Sequence, residues 1–433
     1  MRISIFGLGY VGVVTSACLA RDGHDIMGVD VNPAKVDVLA AGRSPIVEPG
    51  LDALISRAAA SGRLRATTDC VAAVAASDVS LVSVGTPSQS DGSPDLQHVF
   101  RVCEEIGAAV AAKGGAHTVI LRSTVPPGTT GECASILEVA ARGISVSVAF
   151  NPEFLREGSA IRDYDTPPYT VIGTSDASAA EVARGMYSAV AAPLLIVRPA
   201  VAELLKYVSN AWHATKIVFA NEIGRVAKDS GVDGREVMSL MSQDAKLNIS
   251  TAYLRPGFAY GGSCLPKDVR ALVAQARTHN LPVPLLDSLQ ISNEHQIEAA
   301  VRTILSRRPL RVAVLGLAFK SSTDDLRESP AVTLVKRLLG EGCEVRIYAP
   351  DVNRARLMGT NLSYIRENLP HFEALLIDSA DGVVEWSDVV VATQADDDLQ
   401  KVLADATGPR FIVDLTGLAP EAIDHAGYDG IAW

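Results

Sequence analysis

The chain has 433 residues, 48% of them hydrophobic and 21% charged, with a formal net charge of −11. That length calls for two or three domains, and the acidic balance argues against nucleic acid as the main partner. No stretch is long and apolar enough to span a membrane. Cys18, Cys70, Cys103, Cys133, Cys264 and Cys343 show neither a CxxC pair nor a metal-ligand spacing, so no metal is expected. Sparse thiols of this kind point to a reducing, cytoplasmic setting.

Arg2–Phe6 reads as a short apolar strand that runs into Gly7-Leu8-Gly9-Tyr10-Val11-Gly12 and then a helical pattern to Arg21. This is GxGxxG at a strand-to-helix turn. Gly7 permits the tight turn, Gly9 lets a pyrophosphate approach the backbone, and Gly12 allows close helix–strand packing. The phosphates then rest on a helix N-terminus. A second strand, Asp25–Asp30, ends in an acid about 20 residues after the glycines, where a carboxylate accepts from the ribose hydroxyls of NAD and repels the extra phosphate of NADP. Lys35 follows, near the expected adenine ribose. The expected cofactor is NAD.

Three more strands end in polar tips: Val79–Val84 before Thr86, Thr118–Leu121 before Thr124, and Ser145–Phe150 before Glu157. Ligands of doubly wound sheets bind outside the carboxyl ends of strands, so these three residues are placed to line one crevice. Each is equally able to cap a helix.

From Val201 to Lys228 the sequence reads as one long helix. At about 100° per residue, Glu203, Lys206, Asn210, His213 and Asn221 share a sector of roughly 80°. Leu204, Leu205, Val208, Trp212, Val218 and Phe219 flank this stripe, so the helix is expected to be buried on most sides. Its polar groups then need partners, which a sugar or a phosphate-bearing ligand would supply.

The run Gly257-Phe258-Ala259-Tyr260-Gly261-Gly262-Ser263-Cys264-Leu265-Pro266-Lys267-Asp268 delivers one cysteine to the start of a helix. Pro266 suits a first helical turn. The positive helix end and Lys267 both favour the reactive thiolate. Beyond Pro309, the strand Leu310–Leu315 enters Gly316, and further strands are expected at 344–348, 389–392 and 411–413. This second half lacks a full GxGxxG, and it is expected to hold a nucleotide of another kind, with Lys320 and Arg327 facing the crevice.

Together these residues resemble the nucleotide-sugar 6-dehydrogenases, which oxidise UDP-glucose or GDP-mannose to uronic acids. The resemblance spans essentially the whole chain, and Gly-Gly-Ser-Cys-Leu-Pro-Lys-Asp at 261–268 is its most specific segment. Ser44–Leu51, Asn210–Ala214, Arg255–Tyr260 and Trp433 lean towards the GDP-mannose branch, although Ala252 stands where that branch has a tyrosine. UDP-glucose or another UDP-sugar is the alternative substrate. The implied fold is α/β: two Rossmann-like doubly wound domains joined by a long central helix and a helical dimerisation region. The implied division is an NAD-binding domain (1–200), a central domain carrying the cysteine (201–300) and a nucleotide-sugar-binding domain (301–433).

The resemblance also assigns residues. NAD would meet Tyr10, Val11, Asp30, Lys35, Thr86 and Thr124, with Lys267 and Arg327. The sugar nucleotide would meet Glu157, Lys206, Asn210, His213 and Asn221. Further along, Tyr253, Arg255, Phe258, Gly261 and Lys320 would meet it. Family members are dimers or higher oligomers that offer the 253–261 segment to a neighbouring subunit's site. Cys264 would form a thiohemiacetal and then a thioester, while Lys206 and Asn210 would stabilise oxyanions. Thr124, Glu157 and Asp268 are all candidates to activate water. Two competing readings weigh less. A hydroxyacid dehydrogenase needs neither the cysteine nor residues 310–433, and a nucleotide-sugar sensor needs no nucleophile.

Overall fold

Residues Arg2–Phe6 (β1) are buried from Ile3 to Phe6 because both faces of their sheet are covered. Ile3 and Ile5 enter one core with helix Tyr10–Arg21 (α1), and Phe6 enters the opposite one. The computed structural model describes residues 1–433 except 88, 91, 92, 157, 251, 252, 254, 255, 263, 264, 320–325, 351, 353–358, 395, 396, 405–410, 418–426, 432 and 433. It divides into two units, Met1–Ala214 and Thr215–Trp433.

In the first unit β1 is followed by β2 (Asp25–Val29), β3 (Leu64–Thr67), β4 (Val79–Val82) and β5 (His117–Leu121). Then come β6 (Val146–Phe150), β7 (Thr170–Gly173) and β8 (Leu194–Val197). Their order is β3-β2-β1-β4-β5-β6-β7-β8, parallel except where β7 meets β6. The order reverses between β1 and β4, so the crevice of a doubly wound sheet opens there. The intervening helices are α2 (Pro33–Ala40), α3 (Leu51–Ala60), α4 (Cys70–Ala75), α5 (Gln97–Lys113), α6 (Thr129–Ala140), α7 (Ala160–Asp165) and α8 (Ala177–Met186). Gly7 takes φ +98°, and a Cβ there would lie 2.4 Å from the Ser83 carbonyl oxygen. A Cβ on Gly12 would lie 1.9 Å from the Gly7 oxygen, so α1 reaches the strand only through glycine.

Helix α9 (Pro199–Asp229) is one continuous helix of 31 residues. Among its described side chains, burial is confined to Ala202, Glu203 and Lys206 at one end and Glu222, Val226 and Ala227 at the other. The expectation of a helix buried on most sides therefore fails for its middle. Val208, Trp212 and Val218 are 53%, 43% and 43% exposed. The apolar residues predict burial correctly only if something beyond the single chain covers them.

The second unit holds α10 (Gly234–Met241), α11 (Leu265–Thr278), α12 (Pro284–Ser306) and α13 (Pro330–Gly340). Its sheet comprises β9 (Arg311–Leu315), β10 (Glu344–Tyr348), β11 (Val389–Ala392), β12 (Phe411–Asp414) and β13 (Tyr428–Gly430), in the all-parallel order β10-β9-β11-β12-β13. This is a second doubly wound sheet, with its own reversal between β9 and β11. Two cores flank it, one containing Val312 and Val314 and the other Ala313 and Leu315.

Away from the crevice, β5 begins with a buried histidine. His117 Nε2 lies 2.8 Å from Ser80 Oγ, and its Nδ1 lies 3.2 Å from Lys113 Nζ. Burial and then the lysine charge push its pKa from the ordinary 6.5 to about 4. The unfolded chain therefore binds a proton here below pH 6.5 that the folded chain refuses, so stability must decline as pH falls from 6.5 towards 4. His24, also pushed down by burial, adds in the same direction. Chemical denaturation across this window should give a slope approaching about 1.4 kcal/mol per pH unit from His117. In His117→Gln, which keeps a hydrogen bond to Ser80 but cannot titrate, that share should vanish. An unchanged slope would refute the assignment.

Candidate active site

The crevice of the first unit opens between the tips of β1, β2 and β4. A cavity of ≈ 470 Å³ there is lined by Gly7, Gly9, Asp30, Lys35 and Gly85, with His98 and Arg101 from α5. Gly9 has ordinary extended backbone (φ −80°, ψ −169°), and nothing lies within 4 Å of where its Cβ would stand. The space above it is open, as a pyrophosphate on the α1 N-terminus requires. Asp30 directly follows β2, with its side chain only 8% exposed. Its oxygens accept from the Leu8 amide (2.7 Å), the Asn32 amide (2.9 Å) and Lys35 Nζ (3.4 Å). A carboxylate has about four lone-pair sites, so room remains for a ribose hydroxyl. These residues fit a dinucleotide. His98 and Arg101 were not foreseen, because nothing in their spacing marks them.

Tyr10, foreseen as a cofactor contact, donates its hydroxyl to Glu48. Glu48 is buried, and its oxygens also accept from the amides of Gly158 (2.7 Å) and Ala160 (2.9 Å). Burial opposes its charge, but Tyr10 and the amides of Gly158, Ala160 and Ile161 prevail and hold its pKa below the usual carboxylate range. The turn Gly158–Ala160 is thus fastened beside the start of α1. Glu48 lies in the Ser44–Leu51 stretch, where sequence reasoning saw a resemblance but no role.

Thr86 and Thr124 do come together: Thr86 Oγ1 donates to the Thr124 carbonyl at 3.0 Å. On α9 the foreseen polar stripe divides. Glu203 and Lys206 turn into the protein, whereas Asn210, His213 and Asn221 are exposed. Lys206 Nζ pairs with Glu153 at 2.8 Å and sits 5.7 Å from the centre of the Phe154 ring. A buried ammonium needs such a partner. Glu153 follows directly on the Asn151-Pro152 tip of β6, the signal that would have found it.

In the second unit the glycine-rich loop is held tightly. Tyr260 exchanges two hydrogen bonds of 2.8 Å with the Asn293 side chain, and Gln296 Nε2 donates to the Gly257 oxygen at 2.6 Å. A Cβ on Gly261 would fall 2.4 Å from the Glu328 oxygen, and one on Gly262 3.0 Å from the Phe319 ring. Glu328, at φ +50°, is gripped by both terminal nitrogens of Arg270 at 2.7 Å each. The turn bearing Arg327 and the helix bearing Asp268 are thereby tied together. Tyr253 is 85% exposed at φ +61°, and Phe258 packs on the core of this unit. Helix α11 begins at Leu265, one residue after the cysteine, with Pro266 in its first turn. Cys264, Glu157, Arg255, Lys320 and Trp433 lie outside the described residues, as does the side chain of Lys267. Among the described residues there is no metal-binding cluster and no helix long and apolar enough to cross a membrane.

Three family models match in succession. Residues 1–191 match the NAD binding domain of the UDP-glucose/GDP-mannose dehydrogenase family, 200–295 its central domain and 313–420 its UDP binding domain. The chain is 47% identical to GDP-mannose 6-dehydrogenase of Pseudomonas putida, covering 100% of both chains. It is 39% identical to UDP-glucose 6-dehydrogenase of Rhizobium meliloti over 90% of each. A crystal structure of a ternary complex of GDP-mannose dehydrogenase from Pseudomonas aeruginosa matches at a TM-score of 0.96 and 47% identity, covering 100% of both chains.

The open space at Gly9 and the closed space at Gly12 separate two roles. Gly9→Ala should leave the melting temperature within about 2 °C of the parent while raising KM for NAD at least about tenfold by blocking the pyrophosphate. Gly12→Ala should destabilise the fold itself by several kcal/mol or prevent folding. Normal NAD affinity in Gly9→Ala would show that the cofactor does not lie on this turn.

Proposed function

Since the chain belongs to the UDP-glucose/GDP-mannose dehydrogenase family and is an NAD-dependent nucleotide-sugar dehydrogenase, we propose that its substrate is GDP-mannose, oxidised at C6 to GDP-mannuronate. The full-length likeness to enzymes of that name carries the choice of sugar nucleotide; UDP-glucose or another UDP-sugar is the second reading. The enzyme acts in the cytoplasm, and its product suits an alginate-like exopolysaccharide.

NAD, when bound, accepts one hydride in each of the two oxidations that turn a primary alcohol into a carboxylate. The turn at Gly7 and Gly9 would hold its pyrophosphate, with Gly12 letting the helix start approach, and Asp30 and Lys35 would hold its adenine ribose, with Tyr10, Val11, Thr86, Thr124, Lys267 and Arg327 completing the contacts. Between the oxidations the Cys264 thiolate attacks the aldehyde carbon, and the carbonyl oxygen takes up a proton as the thiohemiacetal forms. Loss of the second hydride and of the hydroxyl proton leaves a thioester. Water then adds to its carbonyl and expels the thiolate, giving the uronate. Lys206 and Asn210 stabilise the oxyanions, where preorganised charge counts most. One of Thr124, Glu157 and Asp268 holds the water. His213, Asn221, Tyr253, Arg255, Phe258, Gly261 and Lys320 position the sugar nucleotide.

The division into 1–200, 201–300 and 301–433 and a homodimeric or higher state with shared sites belong to the same proposal. The exposed Leu204, Val208 and Trp212 follow one another at four-residue intervals, one face of α9. On α10 no residue is buried, although Val237 and Leu240 are apolar. Faces of that kind mark an interface, and a second copy is the partner that the family likeness supports.

Assayed side by side for NADH, GDP-mannose should give a kcat/KM at least about 100-fold above UDP-glucose; a higher value with UDP-glucose would overturn the substrate and leave the chemistry standing. Cys264→Ser should form no net uronate, and near-parental NADH production would sink the nucleophile. No turnover of any nucleotide sugar by the parent would favour the sensor reading. In sedimentation velocity Trp212→Glu should shift the species to monomers, which an unchanged mass would exclude.

A further inference from the structure

Helix α6 begins at Thr129, just beyond the loop that carries Thr124, and its own N-cap, Gly128, offers no side chain to the free amides. Those amides are met from α9. Glu203 is 0% exposed; one carboxylate oxygen accepts from the Gly128 amide at 2.7 Å, the other from the Thr130 amide at 2.7 Å and Thr130 Oγ1 at 2.5 Å. At its opposite end the loop is pinned to the tip of β4, because Ser123 Oγ donates to the Val84 oxygen at 2.6 Å and Thr86 grips Thr124 itself. Thr129 Oγ1 closes the turn internally on the Pro126 oxygen at 2.7 Å. Thr124 is therefore held between two anchors.

One of those anchors lies three residues before Lys206, almost one turn away on the same rigid helix. Lys206 is fixed in its turn by Glu153. We propose that Glu203 is the positioning residue that sets the spacing between Thr124 and Lys206, a role resting on the functions proposed for those two. It touches neither substrate nor cofactor. A long carboxylate suits the task because it meets three donors at once and adds a negative charge at a helix N-terminus. A glutamine in its place turns an amide donor towards backbone N–H groups, so at least one donor loses its partner.

The test is a double-mutant cycle on kcat, followed through NADH with GDP-mannose or, failing that, UDP-glucose. Glu203→Gln should lower kcat about tenfold to 100-fold, the cost of a displacement near 1 Å, with both KM values changed less than about twofold. Thr124→Ala should lower kcat by itself, and adding Glu203→Gln to it should cost little more. Independent, multiplying losses would overturn the positioning role. Should Glu203→Gln fail to fold, Thr130→Val decides. It removes one of the three donors and leaves both amides, so it should lower kcat several-fold while the melting temperature stays near the parent; a parental kcat there would overturn the proposal. Parental rates in both Thr124→Ala and Lys206→Met would instead bring down the catalytic reading beneath it.

Discussion

Much of this molecule depends on buried glutamates that cap helices from elsewhere in the chain. Glu203 caps α6. Glu222, also 0% exposed and on the same α9, accepts from the amides of Leu285 (2.9 Å) and Leu286 (3.1 Å) at the start of α12. Glu48 does the same for α7. In each case the local N-cap residue (Gly128, Val283 or Ser159) provides no side-chain bond to its helix. A helix start leaves four amides without partners, and burying them unpaired costs about 1–3 kcal/mol each. Burying a carboxylate alone costs several kcal/mol. Brought together, the two deficits cancel, and the helix dipole adds to the attraction. Neither partner is stable in its place without the other.

This pairing explains how the loops beside these helices are held without being loose. The Thr124 loop is pinned at both ends, and the turn before α7 is hooked to Glu48, which also takes the hydroxyl of Tyr10. In the second unit the equivalent task falls to neutral side chains, the Arg270–Glu328 ion pair and close backbone contact. Asn293 and Gln296 hold the glycine-rich loop, while Gly261 lies against Glu328 with no room for a methyl group. Within each unit, side chains on such segments keep their places without relying on a ligand to order them.

The parts of this design that were legible in the sequence are those made by neighbours along the chain. Parallel strands buried on both faces read as apolar runs, so β1, β2, β4, β5, β6 and β9 to β12 were visible. The GxGxxG turn and Asp30 were visible because their spacing is local. Strand β3, reading Leu-Arg-Ala-Thr, lies at a sheet edge and buries only Leu64 fully, and β13 is only three residues long. Neither carries an apolar run. The trans-caps were invisible for a different reason. Gly128 and Glu203 are 75 positions apart, and Glu48 and Gly158 are 110 apart. Helical spacing did place Glu203, Lys206, Asn210 and His213 on one face, but it could not say that the first two meet protein while the others lie open.

The two sheets show how little separates a dinucleotide turn from a different site. Gly7 and Gly316 both end the first strand of their sheets, at φ +98° and +102°. Both turns therefore need glycine. Beyond that point they diverge. Above Gly9 the first turn is open, whereas the Cβ position of Gly316 is met at 2.6 Å by the side chain of Gln394. Gln394 Nε2 donates to the Ala318 oxygen at 3.0 Å, and Thr393 Oγ1 donates to the oxygens of Leu315 and Gly316 at 2.8 and 2.9 Å. The tip of β11 thus fills with side chains the place where β4 leaves a crevice. A pyrophosphate needs bare backbone amides at a helix start, and the second turn has spent that space on its own polar contacts. The same topology serves one half as a cofactor cradle and denies that cradle to the other.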